Sequence, residues 1–199
     1  MRIFISGGCK NGKSTCALNT LAVRRIAAVK QKKNPSPLYY IATMTAKDNE
    51  DNDRITKHQR DREGCGFITI EQPACIEDIL QKCDCGGSFL LDSLTALLAN
   101  EMFPPSGIFD KDSCERVASG IQKIFNRIQN IVIVSDFIYS DAFIYDSLTE
   151  TYRKSLAFLD KLAAKNSDVV IEAAYAQIIA HKGADLFRNE FGGKFYAVY

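Results

Sequence analysis

Residues Gly7-Gly8-Cys9-Lys10-Asn11-Gly12-Lys13-Ser14-Thr15 satisfy the pattern of a glycine, four further residues, then Gly-Lys and Ser or Thr. The context constrains the fold as much as the pattern does. Arg2–Ser6 (RIFIS) reads as a buried strand, and a helix rich in alanine and leucine is expected from Lys13, so the loop carries a strand into a helix N-terminus. Glycines let the backbone approach an anion, and successive N–H groups pointing inward form a nest for phosphate. Lys13 then reaches the β- and γ-phosphates of a nucleoside triphosphate, and the Ser14 hydroxyl is offered to Mg2+. Gly7 to Thr15 are therefore expected to hold a purine nucleotide.

Short β-branched or aromatic runs recur at Leu38–Thr43, Phe67–Glu71, Phe89–Asp92, Ile131–Ser135 and Val169–Ala173, and read as buried strands. Helical periodicity marks Lys13–Lys30, Ala74–Lys82, Ser93–Phe103, Cys114–Ile128 and Ser147–Lys165. Alternation of the two predicts an α/β fold of the RecA-like phosphate-loop kind, a mostly parallel sheet with helices on both faces. A chain of 199 residues, 46% hydrophobic, suits one core, so residues 1–182 are expected to form a single nucleotide-binding domain and 183–199 a tail. Lys30–Pro37, basic with two prolines, reads as a connector. The charged stretch Thr45–Gly66 is long for a connection and reads as a functional loop or an exposed helix. The tail is aromatic and glycine-bearing without periodicity, and docks either on the body or on a neighbouring subunit.

Lys plus Arg (25) nearly balance Asp plus Glu (24), which gives no electrostatic case for nucleic acid or a membrane surface and points to small-molecule partners. No apolar run reaches the roughly 18 residues of a membrane span. Seven scattered cysteines behind a start without a leader fit a reducing cytoplasm. Cys83 and Cys85 lack a second pair at zinc-like spacing and read as free thiols near a turn.

A carboxylate is needed on the metal side, and Asp92, closing a hydrophobic strand, is the candidate; capping the following helix is the alternative, and both can hold at once. Taken with the phosphate loop, the segments Tyr40–Met44 (YIATM), Arg54–Arg62 (RITKHQRDR) and Leu90–Phe103 (LLDSLTALLANEMF) make the chain resemble the bifunctional adenosylcobinamide kinase / adenosylcobinamide-phosphate guanylyltransferase family of cobalamin biosynthesis, over roughly Met1 to Lys182. The resemblance implies that His58 is the nucleophile that takes GMP from GTP and passes it to the corrinoid phosphate, with Lys13 as its catalytic partner on the phosphates. It implies nucleotide contacts from Ala42, Thr43, Met44, Gln59, Arg60, Asp61, Arg62, Glu71 and Asp92; beside it, the charge of Arg54, with Arg60 and Arg62, suits neutralising the triphosphate, and the metal is assigned to Ser14 and Asp92. GTP and/or ATP would be substrates with Mg2+, a corrinoid the acceptor, and the assembly a homo-oligomer, commonly a trimer. A neutral imidazole is a competent nucleophile near pH 7, and if 53–62 is helical, Arg54, His58 and Arg62 share one face. His181 has no such support and reads as incidental.

Three departures from the family pattern stand out. Glu63 replaces a proline, Asp136-Phe137-Ile138-Tyr139 stands where Asn-Glu-Val-Gly is usual, and Tyr152–Ala163 keeps only the hydrophobic spacing of its helix. They fall mostly in the half expected to shape acceptor binding. A kinase of another small acceptor, in which His58 is idle, and a GTP-binding regulatory protein without turnover are the competing readings.

Overall fold

The computed structural model of the chain describes residues 1–8, 11–30, 36–175 and 177–191, without the side chains of 22–30 and 191. Its elements are β1 (Arg2–Gly7), α1 (Lys13–Lys30), β2 (Leu38–Ala42), α2 (Asn49–Arg62), β3 (Phe67–Glu71), a 3-10 turn (Ile76–Asp78) running into α3 (Ile79–Lys82), β4 (Ser88–Asp92), α4 (Leu94–Met102), α5 (Ser113–Arg127), β5 (Asn130–Asp136), α6 (Ser147–Asn166), β6 (Val169–Ala174), β7 (Gln177–Lys182) and α7 (Ala184–Phe191). The strands form one sheet in the order β3-β2-β4-β5-β1-β6-β7. All pairs are parallel except β6 with β7. This is the expected α/β phosphate-loop architecture.

Because both faces of the central strands are covered, each strand sends alternate residues into two cores, which is why their sequences read as unbroken apolar runs. Phe4, Ile41, Phe89, Leu91, Ile131 and Ile133 meet the apolar sides of α4, α5 and α6. Ile3, Ile5, Leu90, Val132, Val134 and Ile171 meet the start of α1 and Phe187 of α7. Burying a side chain such as Leu91 or Phe89 stabilises the fold by about 1.5–3 kcal/mol.

Two expectations change and two open alternatives are decided. The charged segment is a helix, α2, because Asp48 caps it by accepting from the Asp51 N–H at 2.8 Å and Glu50 and Asp51 sit in its first turn. β3 is an edge strand with one face in solvent, Ile68 being 49% exposed, so it is not buried as its composition implied. The stretch from Ala74 is not one helix: Cys75 is left-handed (φ 48°), which forces a turn before four residues of α3. The tail turns at Gly183 (φ 69°), then docks on the body through Phe187 of α7. Residues 31–35 of the connector and 192–199 of the tail lie outside the described residues. Among the described residues no helix is long and apolar enough to cross a membrane.

Candidate active site

Parallel strands deliver their C-terminal residues to one edge of the sheet, where ligands of open α/β folds bind. β1 ends at Gly7, where a Cβ would stand 2.2 Å from the Ala173 carbonyl oxygen of β6, so only glycine lets the two strands run this close into the loop. Gly12 is left-handed (φ 80°) and turns the chain into α1. Lys13 then points back across the loop: its Nζ donates to the Gly8 carbonyl oxygen at 2.5 Å and lies 2.8 Å from Asp136 Oδ1. Lys13 is 6% exposed and Asp136 28%. Ser14 is half-buried and Thr15 exposed beside it, while Cys9 and Lys10 lie outside the described residues.

Asp136 closes β5, the strand next to β1, in register with Gly7. Two bonds fix its backbone. Its N–H donates to Thr95 Oγ1 at 2.8 Å, and the following Phe137 N–H donates to the Gly7 carbonyl oxygen at 2.9 Å. Sequence alone puts Asp136 only among the departures from the family pattern. The signal that could have found it is an acid closing IVIVSD at a sheet edge, the same signal that singles out Asp92.

Behind Asp136, Asp160 of α6 is buried; the Tyr139 hydroxyl donates to its Oδ2 at 3.0 Å, and its Oδ1 has no hydrogen-bond partner among the described residues. Burial pushes the Asp160 carboxyl up to about 7; hydroxyls of Ser135 and Tyr139 draw it partly back, and the charge of Asp136 adds to the rise.

The second cluster stands at the ends of β2 and β4. Tyr40 donates to Asp92 Oδ2 at 2.8 Å, and the Arg62 guanidinium lies 3.8 Å over the Tyr40 ring while reaching Thr69 Oγ1 at 3.4 Å. Burial, then the Asp92 charge, pushes the Tyr40 phenol well above its ordinary value, so it stays a donor. His58, one turn before Arg62 on α2, brings Nδ1 to 3.7 Å from Asp92 Oδ2, too long for a hydrogen bond, and that nitrogen is otherwise unpartnered among the described residues. Side-chain exposure is 32% for His58 and 9% for Asp92. Asp92 does not cap α4. Ser93 does, accepting from the Ala96 N–H at 3.2 Å, which leaves the Asp92 carboxylate facing the edge.

Thr43 stitches the two strand ends together. Its hydroxyl donates to the Ser93 carbonyl oxygen and accepts from the Ser93 N–H, each at 2.7 Å, and its own carbonyl oxygen takes the Asn100 amide at 2.7 Å. Ala42 and Met44 flank it, half-buried.

Of the predicted α2 residues, His58 and Arg62 face the sheet, and Arg54 is within 4.0 Å of Asp51. Gln59, Arg62 and Glu71 share an open cleft of about 640 Å³ with Glu63 and Thr69. Arg60 and Asp61 are exposed and do not join His58. His181 is exposed and 2.8 Å from Glu172 of the neighbouring strand, outside this edge. Cys83 and Cys85 are free thiols, and among the described residues no group of three or more His, Cys, Asp or Glu is placed to hold a metal.

A strand running through glycines into a helix, a helix-borne lysine and acids closing the neighbouring strands β4 and β5 define a phosphate-loop α/β protein. The model of the cobinamide kinase / cobinamide phosphate guanyltransferase family matches residues 3–177, and the chain belongs to that family of transferases of cobalamin biosynthesis. No curated protein matches it significantly. Among solved structures, a protein from Pyrococcus horikoshii OT3 is similar at 10% identity over 91% of this chain and 85% of that one, with a TM-score of 0.43.

Proposed function

We propose that the protein uses GTP or ATP to phosphorylate the aminopropanol hydroxyl of adenosylcobinamide and then transfers GMP from GTP to that phosphate through a guanylylated His58. The observation that carries this reading is the placement of a half-exposed imidazole with an unpartnered Nδ1 on the same sheet edge as Lys13. Two strand spacings separate the ends of β1 and β4, about 10 Å across the sheet, a span that one triphosphate and its ribose bridge.

In the first step the N–H nest of Gly7 to Ser14 and the Lys13 ammonium hold the β- and γ-phosphates and offset charge as the terminal group leaves. Ser14 and Asp92 are hard oxygen donors suited to Mg2+, which when bound neutralises phosphate charge. In the second, a slight turn of His58 brings Nδ1–H onto Asp92 Oδ2. That bond fixes the tautomer, aims Nε2 at the α-phosphorus and stabilises the ring as it becomes positive. Tyr40 holds the carboxylate and Arg62 holds Tyr40, so the orienting chain is anchored in the sheet. The cleft beside Gln59, Arg62 and Glu71 takes the rest of the guanine nucleotide. By the family resemblance, the working assembly in this reading is a trimer of identical subunits.

The test is incubation with Mg2+ and GTP labelled at the α-phosphate, comparing wild type with His58→Ala. An acid-labile, alkali-stable protein adduct that disappears in the variant is expected. Absence of label in wild-type protein that binds GTP leaves the guanylyl half of the proposal without support.

A further inference from the structure

We infer that Asp136 is the base that takes the proton of the acceptor hydroxyl during phosphoryl transfer; the inference rests on the kinase half of the proposed function. Transfer to a hydroxyl releases a proton, and a base at the reacting oxygen accelerates it. The candidates are the carboxylates of the sheet edge, and position separates them. Glu71 closes the outermost strand, β3, four strand positions from β1. Asp92 is two positions away and already bonded to Tyr40. Asp160, on α6, is 3% exposed. Of the two strands beside β1, β6 carries Glu172, which pairs with His181, whereas Asp136 closes β5 and lies 2.8 Å from the Lys13 Nζ that, in the proposed function, holds the transferring phosphoryl group.

The local bonding keeps that carboxylate usable. A lysine ammonium has three protons to donate. Two of them point at Gly8 O and Asp136 Oδ1, so among the described residues the third remains for phosphate, and the ion pair need not break when nucleotide binds. Oδ2 of Asp136 has no hydrogen bond among the described residues, and the residue keeps 28% exposure, so an incoming hydroxyl has a free oxygen to meet. The backbone is held from both sides by Thr95 and Gly7, which fixes where that oxygen stands. An amide at this position, as in the family pattern, offers no basic oxygen of this kind. In the step itself the acceptor oxygen forms a bond to the γ-phosphorus as the bond from that phosphorus to the β-bridging oxygen breaks. The nucleoside diphosphate leaves with the electron pair, and the hydroxyl proton passes to Asp136 and on to solvent.

The test is the isosteric Asp136→Asn, followed in three assays: phosphoryl transfer from labelled ATP or GTP to adenosylcobinamide, γ-phosphate release to water, and α-label on His58. The expected result is a fall in kcat for phosphoryl transfer of about 10²–10³-fold with the nucleotide KM within about 3-fold, water transfer falling alongside, and His58 labelling retained. An unchanged kcat overturns the inference. So does a parallel loss of phosphoryl transfer and His58 labelling, which makes Asp136 a holder of Lys13, and so does a loss carried wholly by KM. If the wild type transfers phosphate to water but not to the corrinoid, the acceptor assignment fails and the base is judged on water; if it transfers to neither, the kinase reading and this inference fall together.

Discussion

Lys13 is held by Gly8 and by Asp136, whereas His58 Nδ1 sits 3.7 Å from Asp92 and has no hydrogen bond among the described residues. The difference follows from what carries each group. Lys13 and Asp136 grow from α1 and β5 beside the middle of the sheet, where backbone bonds between Gly7 and Phe137 lock the two together. His58 grows from α2, a helix of almost wholly polar sequence that covers the sheet edge through few buried side chains, Arg62 among them. In the proposed function a firmly held Lys13 costs little reorganisation on nucleotide binding, while a histidine on a lightly docked helix is free to approach the nucleotide and withdraw.

If the two regions act on one triphosphate, damage to them is asymmetric, and this is the largest effect expected. Lys13→Ala should lower both phosphoryl transfer and guanylylation of His58, each by about 10²–10³-fold, because the same ammonium anchors the nucleotide for both. Loss of His58 should remove only the guanylyl half. Guanylylation that survives Lys13→Ala at near wild-type rate would mean two separate nucleotide sites and would break the comparison.

The environment behind Asp136 gives the next effect, on stability rather than rate. Asp160 has its carboxyl raised from 3.8 to about 7, chiefly by burial. Between those values the native state binds more protons than the unfolded chain, so stability falls as pH rises through the window, and the cost is complete above pH 7. Asp160→Asn keeps an acceptor for the Tyr139 hydroxyl and cannot ionise. A tenfold change in proton affinity corresponds to about 1.4 kcal/mol, so the variant should be more stable than wild type by on the order of 2–4 kcal/mol at pH 8, with the gap narrowing toward pH 4. Denaturant midpoints at the two pH values decide it; a gap that does not change with pH removes the titration from the explanation.

The two regions also differ in how far the sequence discloses them. The phosphate loop is written in consecutive residues, and the strand before it and helix after it follow from period alone; the end of α1 at Lys30 and the span of β3 are read correctly on that basis. Local chemistry fixes local structure there. Asp136 meets Lys13 across 123 residues of chain, through a parallel strand pairing that no local pattern encodes, so in the sequence it is visible only as a deviation from a family motif. The cluster around His58 is intermediate. Its arginines and histidine are one helical turn apart and so share a face as expected, but their contacts to Tyr40 and Asp92 depend on how α2 lies on the sheet. Burial misleads at the edge. β3 has the composition of an inner strand, and only the strand order shows that it has a single neighbour.

The smallest effect tests whether the orienting chain behind His58 does what its geometry implies. Tyr40→Phe removes one hydroxyl and keeps the ring on which Arg62 rests, so packing is conserved and only the bond to Asp92 Oδ2 is lost. A hydrogen bond to a charged acceptor is worth about 1.5–3 kcal/mol, but Asp92 keeps some access to water and to His58, so the net loss should lie near the low end. In the proposed function Asp92 orients the imidazole on nucleotide binding, so guanylylation should slow by about 3–10-fold, roughly 1 kcal/mol, and phosphoryl transfer, which Asp92 serves only through the metal, should slow less. The informative quantity is the ratio of the two rates. Equal slowing would place Asp92 in the service of the phosphates through the metal, and a larger loss of guanylylation would place it in the service of the histidine as well, whose Nδ1 stands 3.7 Å from its Oδ2.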